Sequence, residues 1–137
     1  MLRAIEPKHL AAEWDRVRAG LLEVKKATND DWLPEDVYMA LRQGNATLYL
    51  GIGDADEYLG FVVLRLVPTY HSQKVEIWCA YSATSTPAMR RFFPHIKAVA
   101  RNVGATLISF ASARDEWEAG AARLGFKRSQ VSYQFTL

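Results

Sequence analysis

The first third of the chain carries two amphipathic helical patterns. Apolar side chains recur at spacings of three and four, with charged residues between them, at Leu10, Trp14, Val17, Leu21 and Val24. A second, shorter repeat starts at Pro34, a residue suited to a first helical turn, and ends before Gly44. The short alternating segment 2–5 predicts an edge strand before Pro7.

After residue 45 the pattern becomes that of β-strands. Segments 46–52 and 58–67 are rich in branched and aromatic residues, and the turn residues at 53–57 predict a hairpin between them. A further strand is predicted over 74–81. Simple alternation assigns Val75, Ile77 and Cys79 to one face of this strand, and Glu76, Trp78 and Ala80 to the other.

The next segment predicts a strand, helix, strand unit. A helix is expected from Pro87 to about Val103, with Pro94 kinking it or delaying its start and Gly104 ending it. The apolar segment 106–111 follows as a short strand. Such a unit normally joins two parallel strands by a right-handed crossover.

The last part predicts one more helix and a final strand. The helix starts near Ser112 and ends at Gly125. Alternating Val131, Tyr133 and Phe135 then predict a strand or hairpin within 126–137. The element order is that of an α/β (α+β) fold with about four helices.

Composition narrows the class of protein. A chain of 137 residues, half of them hydrophobic, is expected to form one domain over 1–137. The single cysteine, Cys79, excludes an internal disulfide framework and fits a reducing cytoplasm. No apolar stretch approaches the roughly 20 residues of a membrane span, and the histidines lack metal-ligand spacing, so neither membrane nor metal is expected.

Charge is unevenly distributed along the chain. The net charge is +2, but residues 88–137 carry eight basic and three acidic side chains. This modest excess suits an anionic ligand such as a nucleotide or phosphate, or simply a solvated surface. Nucleic acid is not expected, because the basic residues form no clustered stripe.

Two segments near the end of the chain carry a family resemblance. Segment 100–108 reads Ala-Arg-Asn-Val-Gly-Ala-Thr-Leu-Ile, and segment 119–126 reads Ala-Gly-Ala-Ala-Arg-Leu-Gly-Phe. Together with the element order, they resemble the GNAT superfamily of N-acetyltransferases. The resemblance implies a central, mostly antiparallel mixed sheet, with two splayed parallel strands that hold acetyl-CoA as cosubstrate between them.

The resemblance also implies where acetyl-CoA is held. Its pantetheine arm would pair with the backbone of the strand that ends at Tyr81, and its pyrophosphate would bind the loop 82–89 at a helix start. This loop departs from the family pattern, since Thr84, Pro87 and Met89 occupy its fixed positions. The residues assigned to acetyl-CoA are Cys79, Ala80, Tyr81, Thr84, Ser85, Thr86, Arg90 and Arg91.

Catalytic assignments follow from the same resemblance. Glu76 is the only carboxylate on its strand and takes the place of the family's general base, although an ordinary ion pair explains it equally well. The family's usual tyrosine acid and helix-start asparagine are replaced by Ala121 and Arg114. Tyr81 and Tyr133 are therefore the candidate acids.

Other residues are weaker candidates. His71 is an alternative base in a loop, and Cys79 is either a buried thiol or a nucleophile. Asp30, Asp31 and Trp32 lie where family members border the acceptor, and they would suit a cationic amine or simply cap a helix.

Two functions remain open from the sequence. One is an acyl-CoA-dependent N-acyltransferase that acetylates a small-molecule amine or a protein amino group, compatible with a homodimer. The other is a catalytically inactive GNAT-fold module with a binding, regulatory or structural role in a larger assembly. The altered loop and the missing tyrosine favour the second.

Overall fold

A computed structural model describes residues 1–28, 30–112 and 117–137. Its centre is a five-stranded sheet in the order β1-β2-β3-β4-β5. The strands are β1 Leu2–Ile5, β2 Thr47–Ile52, β3 Tyr58–Pro68, β4 Gln73–Ser82 and β5 Leu107–Ser109. Neighbours are antiparallel from β1 to β4, whereas β4 and β5 are parallel, with Val75 opposite Ile108. The predicted mixed sheet is confirmed.

Helices cover both faces of this sheet. They are α1 Leu10–Lys26, α2 Pro34–Arg42, α3 Ala88–Asn102 and α4 Trp117–Arg123. The side chains of α1 and α2 join one buried cluster and those of α3 join the other. Pro94 lies inside α3 without ending it. The last helix is predicted to start near Ser112; Ser112 itself is not helical, and residues 113–116 lie outside the described residues.

The core contains most of the expected apolar residues. Leu21, Phe92 and Ile96 are almost fully buried. Trp14, Ile108 and Leu124, which the helical and strand patterns also favour, are only partly buried at the edges of the two clusters. Within the described ranges, no helix combines the length and apolar character needed to cross a bilayer.

A bulge in β4 corrects the predicted faces of that strand. Val63 is opposite Cys79 while Leu64 is opposite Ile77, so Trp78 is an extra residue in the ladder. An extra residue reverses the alternation on either side of it. Cys79 therefore packs on the α1 face, opposite to Ile77, and Ala80 packs on the α3 face, opposite to Trp78.

The predicted final strand is wrong. No strand is assigned in 126–137, and the side chains of Tyr133 and Phe135 are 90% and 88% exposed. Alternation shows only that side chains could share a face, whereas a strand also needs a neighbour for its backbone hydrogen bonds. The adjacent β5 is only three residues long. Tyr133 is consequently not presented by a strand of the sheet.

Candidate active site

The candidate site begins where β4 and β5 separate. The two strands pair over only three residues of each, and Glu76 opposite Ser109 is the last pair. β4 continues to Ser82, so its β5-facing edge from residue 77 onward has no strand partner in the described part of the chain. Exposed backbone donors and acceptors on such an edge can pair with an extended ligand.

The open edge leads to the N-terminus of α3. Pro87 is the residue before the helix, and the first helical hydrogen bond runs from the Arg91 amide to the Pro87 carbonyl at 3.1 Å. The amides of residues 88–90 therefore have no helical acceptor. Met89, which occupies one of the fixed positions of the family loop, has its side chain buried in the core.

Arg91 is directed toward this helix start. Its Nη2 donates a hydrogen bond of 3.2 Å to the Thr86 hydroxyl. Its Nε atom is buried and has no hydrogen-bond partner among the described residues. A buried guanidinium nitrogen without an acceptor is unfavourable, so an anionic ligand beside it would satisfy an unmet donor.

The hydroxyl groups of the loop are partly occupied. The Thr84 amide donates to the Ser82 hydroxyl, and the Thr86 amide donates to the Thr84 hydroxyl, each at 3.3 Å. These hydrogen bonds join residues of the loop to one another and hold its conformation. Ser85 and Arg90 are exposed. The loop therefore offers a ligand fewer free amides than a glycine-rich loop would.

Glu76 lies at the base of the open edge, on the α1 face. Its Oε1 accepts hydrogen bonds from Nε of Arg65, at 2.8 Å, and from Nη2 of the same guanidinium. Arg65 also stacks over Trp78, with 4.1 Å from its guanidinium carbon to the ring centroid. Glu76 Oε2 accepts none of the hydrogen bonds found within the described ranges, so it remains open toward a ligand.

The segment between α1 and α2 lies near the same face. The Trp32 indole donates to the Asp30 carboxylate at 3.0 Å, and Lys25 donates to the carbonyls of Asp30 and Trp32 at 3.0 and 2.6 Å. Trp32 is buried in the α1-side cluster that contains Cys79, whereas Asp31 is exposed. The structure thus places Asp30 and Trp32 together and leaves Asp31 at the surface.

Cys79 is a buried thiol. Its side chain is 2% exposed, and burial, aided by the negative charge of Asp30 and opposed by Arg65, raises its pKa to about 12. A thiol that keeps its proton at neutral pH is a poor nucleophile. Its backbone remains part of the open edge of β4.

Within the described ranges, no hydrogen bond joins Glu76 to Tyr81, Tyr133 or His71. Tyr81 packs against Phe61, with 5.6 Å between ring centroids, and lies five residues along β4 from Glu76, about 16 Å in an extended strand. His71 is exposed in the loop before β4. Ala121 lies in α4, and Arg114 is outside the described residues. Among the described residues, Glu76 is therefore grouped with Arg65, Trp78 and Cys79, and not with Tyr81, Tyr133 or His71.

Sequence reasoning missed Arg65 and Lys25. Neither residue belongs to a recognised motif, and their partners become visible only through strand register and loop conformation. The strands at 58–67 and 74–81 were predicted, but their pairing, the bulge and the resulting contact between Arg65 and Glu76 were not.

A groove of about 290 Å³ lies elsewhere on the molecule. It is formed by α3 from Phe93 to Arg101, by β5 and by residues 124–126. Because it lies beside the C-terminal half of α3, away from the helix start, it does not belong to the site described above. No group of three His, Cys, Asp or Glu side chains suited to a metal occurs in the described part of the chain.

Comparisons with known proteins support the fold. No family model matches the chain, and no curated protein matches its sequence. Solved structures do match over the whole chain. A probable acetyltransferase has 19% identity and a TM-score of 0.72, with 96% of its own chain covered. The ribosomal-protein-alanine N-acetyltransferase of Brucella melitensis biovar Abortus 2308 has 10% identity, a TM-score of 0.74 and 99% coverage.

A third match is an aminoglycoside acetyltransferase from an uncultured soil metagenomic sample, solved in complex with sisomicin. It has 14% identity and a TM-score of 0.67, with 100% of this chain and 95% of that chain covered. At identities this low, the likeness to all three structures establishes a shared fold.

Proposed function

We propose that this chain, which has the fold of the GNAT superfamily, is an acyl-CoA-dependent N-acyltransferase that acetylates an amine. The three structures described above, which it resembles over at least 95% of their length, are named as acetyltransferases. Their names include both a ribosomal protein and an aminoglycoside as acceptor class. The acceptor here is accordingly proposed as a small-molecule amine or a protein amino group.

One observation carries this proposal: the free edge of β4 runs directly into a helix start that has unused anion donors. Backbone of Cys79, Ala80 and Tyr81 lies on that edge, and the amides of residues 88–90 with Arg91 Nε lie beyond it. An extended amide-containing arm followed by a pyrophosphate matches this sequence of groups. The residues present therefore fit acetyl-CoA despite the missing glycines.

Acetyl-CoA would supply the acetyl group: the amine nitrogen bonds to the carbonyl carbon, the C–S bond breaks, and free CoA leaves with a proton from water. Glu76 is assigned as the general base that takes the proton from the amine through Oε2. Arg65 holds Oε1 and so fixes the carboxylate at the base of the cleft. Asp30 lies on the acceptor side and suits a cationic amine before it loses its proton.

At the position of the family's usual tyrosine acid, this chain has Ala121. Ala121 has no proton to give, Tyr81 lies along the cosubstrate edge, and Tyr133 is in the exposed C-terminal segment. Because no acid is assigned beside Glu76 among the described residues, an inactive binding module remains the second candidate. The acyltransferase and the inactive module would both bind CoA, but only the acyltransferase would turn over acetyl-CoA.

The test is release of free CoA from acetyl-CoA in the presence of a panel of primary amines. We expect Glu76→Gln to lower the rate by roughly 10² or more while the protein stays folded, because an amide cannot accept the proton. Glu23→Gln is the matched control, since Glu23 forms an exposed ion pair with Lys26 within α1.

Unchanged turnover in Glu76→Gln would remove Glu76 from the mechanism. Binding of acetyl-CoA without turnover of any amine would favour the inactive module. If acetyl-CoA neither binds nor is consumed with any amine, the proposal is wrong altogether.

A further inference from the structure

We infer that Arg65 binds an anionic group, a carboxylate or a phosphate, carried by the acceptor amine. This inference rests on the proposed acyl transfer and names its substrate class: a zwitterionic amine. It follows from how the Arg65 guanidinium is held, from which of its donors are left, and from where it lies.

The guanidinium is held on two sides. Nε and Nη2 both donate to Oε1 of Glu76 on the neighbouring strand, and the planar group stacks on Trp78. Its side chain is nevertheless 37% exposed. A long side chain fixed in one conformation loses less entropy when it binds a ligand, and the stacked guanidinium is therefore preorganised.

The Arg65 guanidinium keeps donors that Glu76 does not use. A guanidinium has five N–H groups, and Glu76 takes one from Nε and one from Nη2. Nη1 donates to no acceptor found within the described ranges. The Nη1 and Nη2 edge thus keeps the parallel pair of donors that binds a carboxylate or phosphate in bidentate fashion.

Arg65 lies beside the point where acyl transfer is proposed. It is directly opposite Glu76, the last β4 residue that pairs with β5. Arg65 stacks on Trp78, and Trp32 donates a hydrogen bond to Asp30; both rings belong to the buried cluster that contains Cys79. The face therefore carries carboxylates that suit an ammonium group and a guanidinium that suits an anion.

A ligand-binding role for Arg65 and a purely structural role predict different effects when Arg65 is replaced. If Arg65 only stabilises the sheet, its replacement should weaken the binding of every acceptor equally, or should lower the folding stability and leave binding unchanged. If Arg65 binds an anionic group, its replacement should weaken the binding of amines that carry a carboxylate or phosphate and leave the binding of their uncharged counterparts unchanged.

The experiment compares calorimetric binding of paired amines to the full chain in the presence of CoA. The pairs are L-methionine with L-methioninamide, L-glutamate with L-glutamine amide, and phosphoethanolamine with ethanolamine. We expect the anionic member of at least one pair to bind tenfold or more tightly, and Arg65→Gln to abolish that difference. A charged hydrogen bond has the strength needed for a change of this size.

Arg16→Gln is the matched control, because Arg16 also pairs with a glutamate, Glu13, and stacks on a ring, Tyr58. Tyr58 lies seven residues along β3 from Arg65, roughly 23 Å away. This variant should retain the preference. Arg65→Lys keeps the charge without the planar pair of donors and should retain only part of the preference for the anionic amine. This variant also provides a test if Arg65→Gln fails to fold.

The inference is wrong if no anionic member binds better than its partner, or if the preference survives in both Arg65 variants. Because binding is measured without turnover, failure of acyl transfer is seen separately. A retained acid preference without product would overturn the catalytic proposal and leave the role of Arg65 standing.

Discussion

Gly20 lies in the middle of α1, where its missing side chain makes room for two rings of the sheet. A Cβ atom at this position would lie 2.6 Å from Phe61 and 2.8 Å from Tyr81. Alanine normally stabilises a helix interior by about 1 kcal/mol relative to glycine. Here we expect Gly20→Ala to destabilise the protein by about 1–3 kcal/mol, because overpacking outweighs the helix propensity.

Denaturant titration measures this difference. Ala19→Gly, at the exposed neighbouring position, reports the propensity term alone and should also destabilise, by about 1 kcal/mol. A Gly20→Ala variant as stable as the wild type would show that the two rings move aside without penalty.

The Cys79 thiol and the Tyr58 hydroxyl make the folding stability depend on pH in the alkaline range. Burial raises the pKa of Cys79 from 9.0 to about 12 and that of Tyr58 from 10.0 to about 12. Above pH 9 the unfolded chain loses these protons while the folded chain keeps them, so the free energy of unfolding should fall as pH rises from about 9 to 12. Below pH 9 neither group contributes a slope.

The variants Cys79→Ala and Tyr58→Phe should each flatten this decline in denaturant titrations at a series of pH values. Tyr58→Phe has a second readout at pH 7. Because the Tyr58 hydroxyl is buried without a hydrogen-bond partner in the described structure, its removal should leave stability unchanged or slightly raised. A loss above about 1 kcal/mol would mean that the hydroxyl has a partner in solution.

At the scale of elements, α3 is attached to the sheet through Phe92. Its side chain is 1% exposed, and its ring lies where a Cβ of Gly51 would be. Phe92→Ala should therefore destabilise the protein by roughly 3–5 kcal/mol. Phe135→Ala, with a side chain that is 88% exposed, is the matched control and should change stability by less than about 0.5 kcal/mol.

Chemical denaturation of the two variants tests this contrast. Equal losses would show that the C-terminal segment packs against the core in solution. A loss below about 1 kcal/mol for Phe92→Ala would show that α3 is not held on the sheet by this ring.

The strand β4 shows how far element-level prediction reached. Its bounds were predicted to within one residue at each end, because the apolar and polar alternation is local. Its faces were assigned correctly as far as Trp78 and incorrectly at Cys79 and Ala80, because the bulge at Trp78 arises from pairing with Val63 and Leu64, about fifteen residues away in the chain. The same register places Arg65 against Glu76 and so decides what the site can bind.

At the scale of the whole molecule, ligand binding should be visible as a rise in melting temperature. A ligand at 100 times its Kd stabilises the folded state by about 2.7 kcal/mol, which for a chain of this length corresponds to roughly 8–13 °C. We expect acetyl-CoA and CoA at millimolar concentration to raise the melting temperature clearly, and ATP to raise it less, because ATP lacks the arm that pairs with β4.

Arg91→Gln should reduce this rise. Loss of one charged hydrogen bond weakens binding by roughly ten- to hundredfold, which leaves about 0.4–1.4 kcal/mol of stabilisation at the same ligand concentration. Arg101→Gln, exposed near the other end of α3, should keep the full rise. Equal shifts in both variants would remove Arg91 from the anion site, and no shift with any of the three ligands in the wild type would overturn the acyltransferase proposal.

The sequence by itself determined the helices, the strands up to β5 and the parallel strand, helix, strand unit, because spacing of apolar residues and turn chemistry act over a few neighbouring positions. It also determined that Glu76 lies on a strand beside the predicted cleft and that Cys79 is buried. Only the tertiary structure decided which face each residue of β4 occupies, and it showed 126–137 outside the sheet. The bonds that Glu76 and Arg91 make, or leave unmade, depend in the same way on residues brought together by strand register and helix packing, and no local pattern encodes that register.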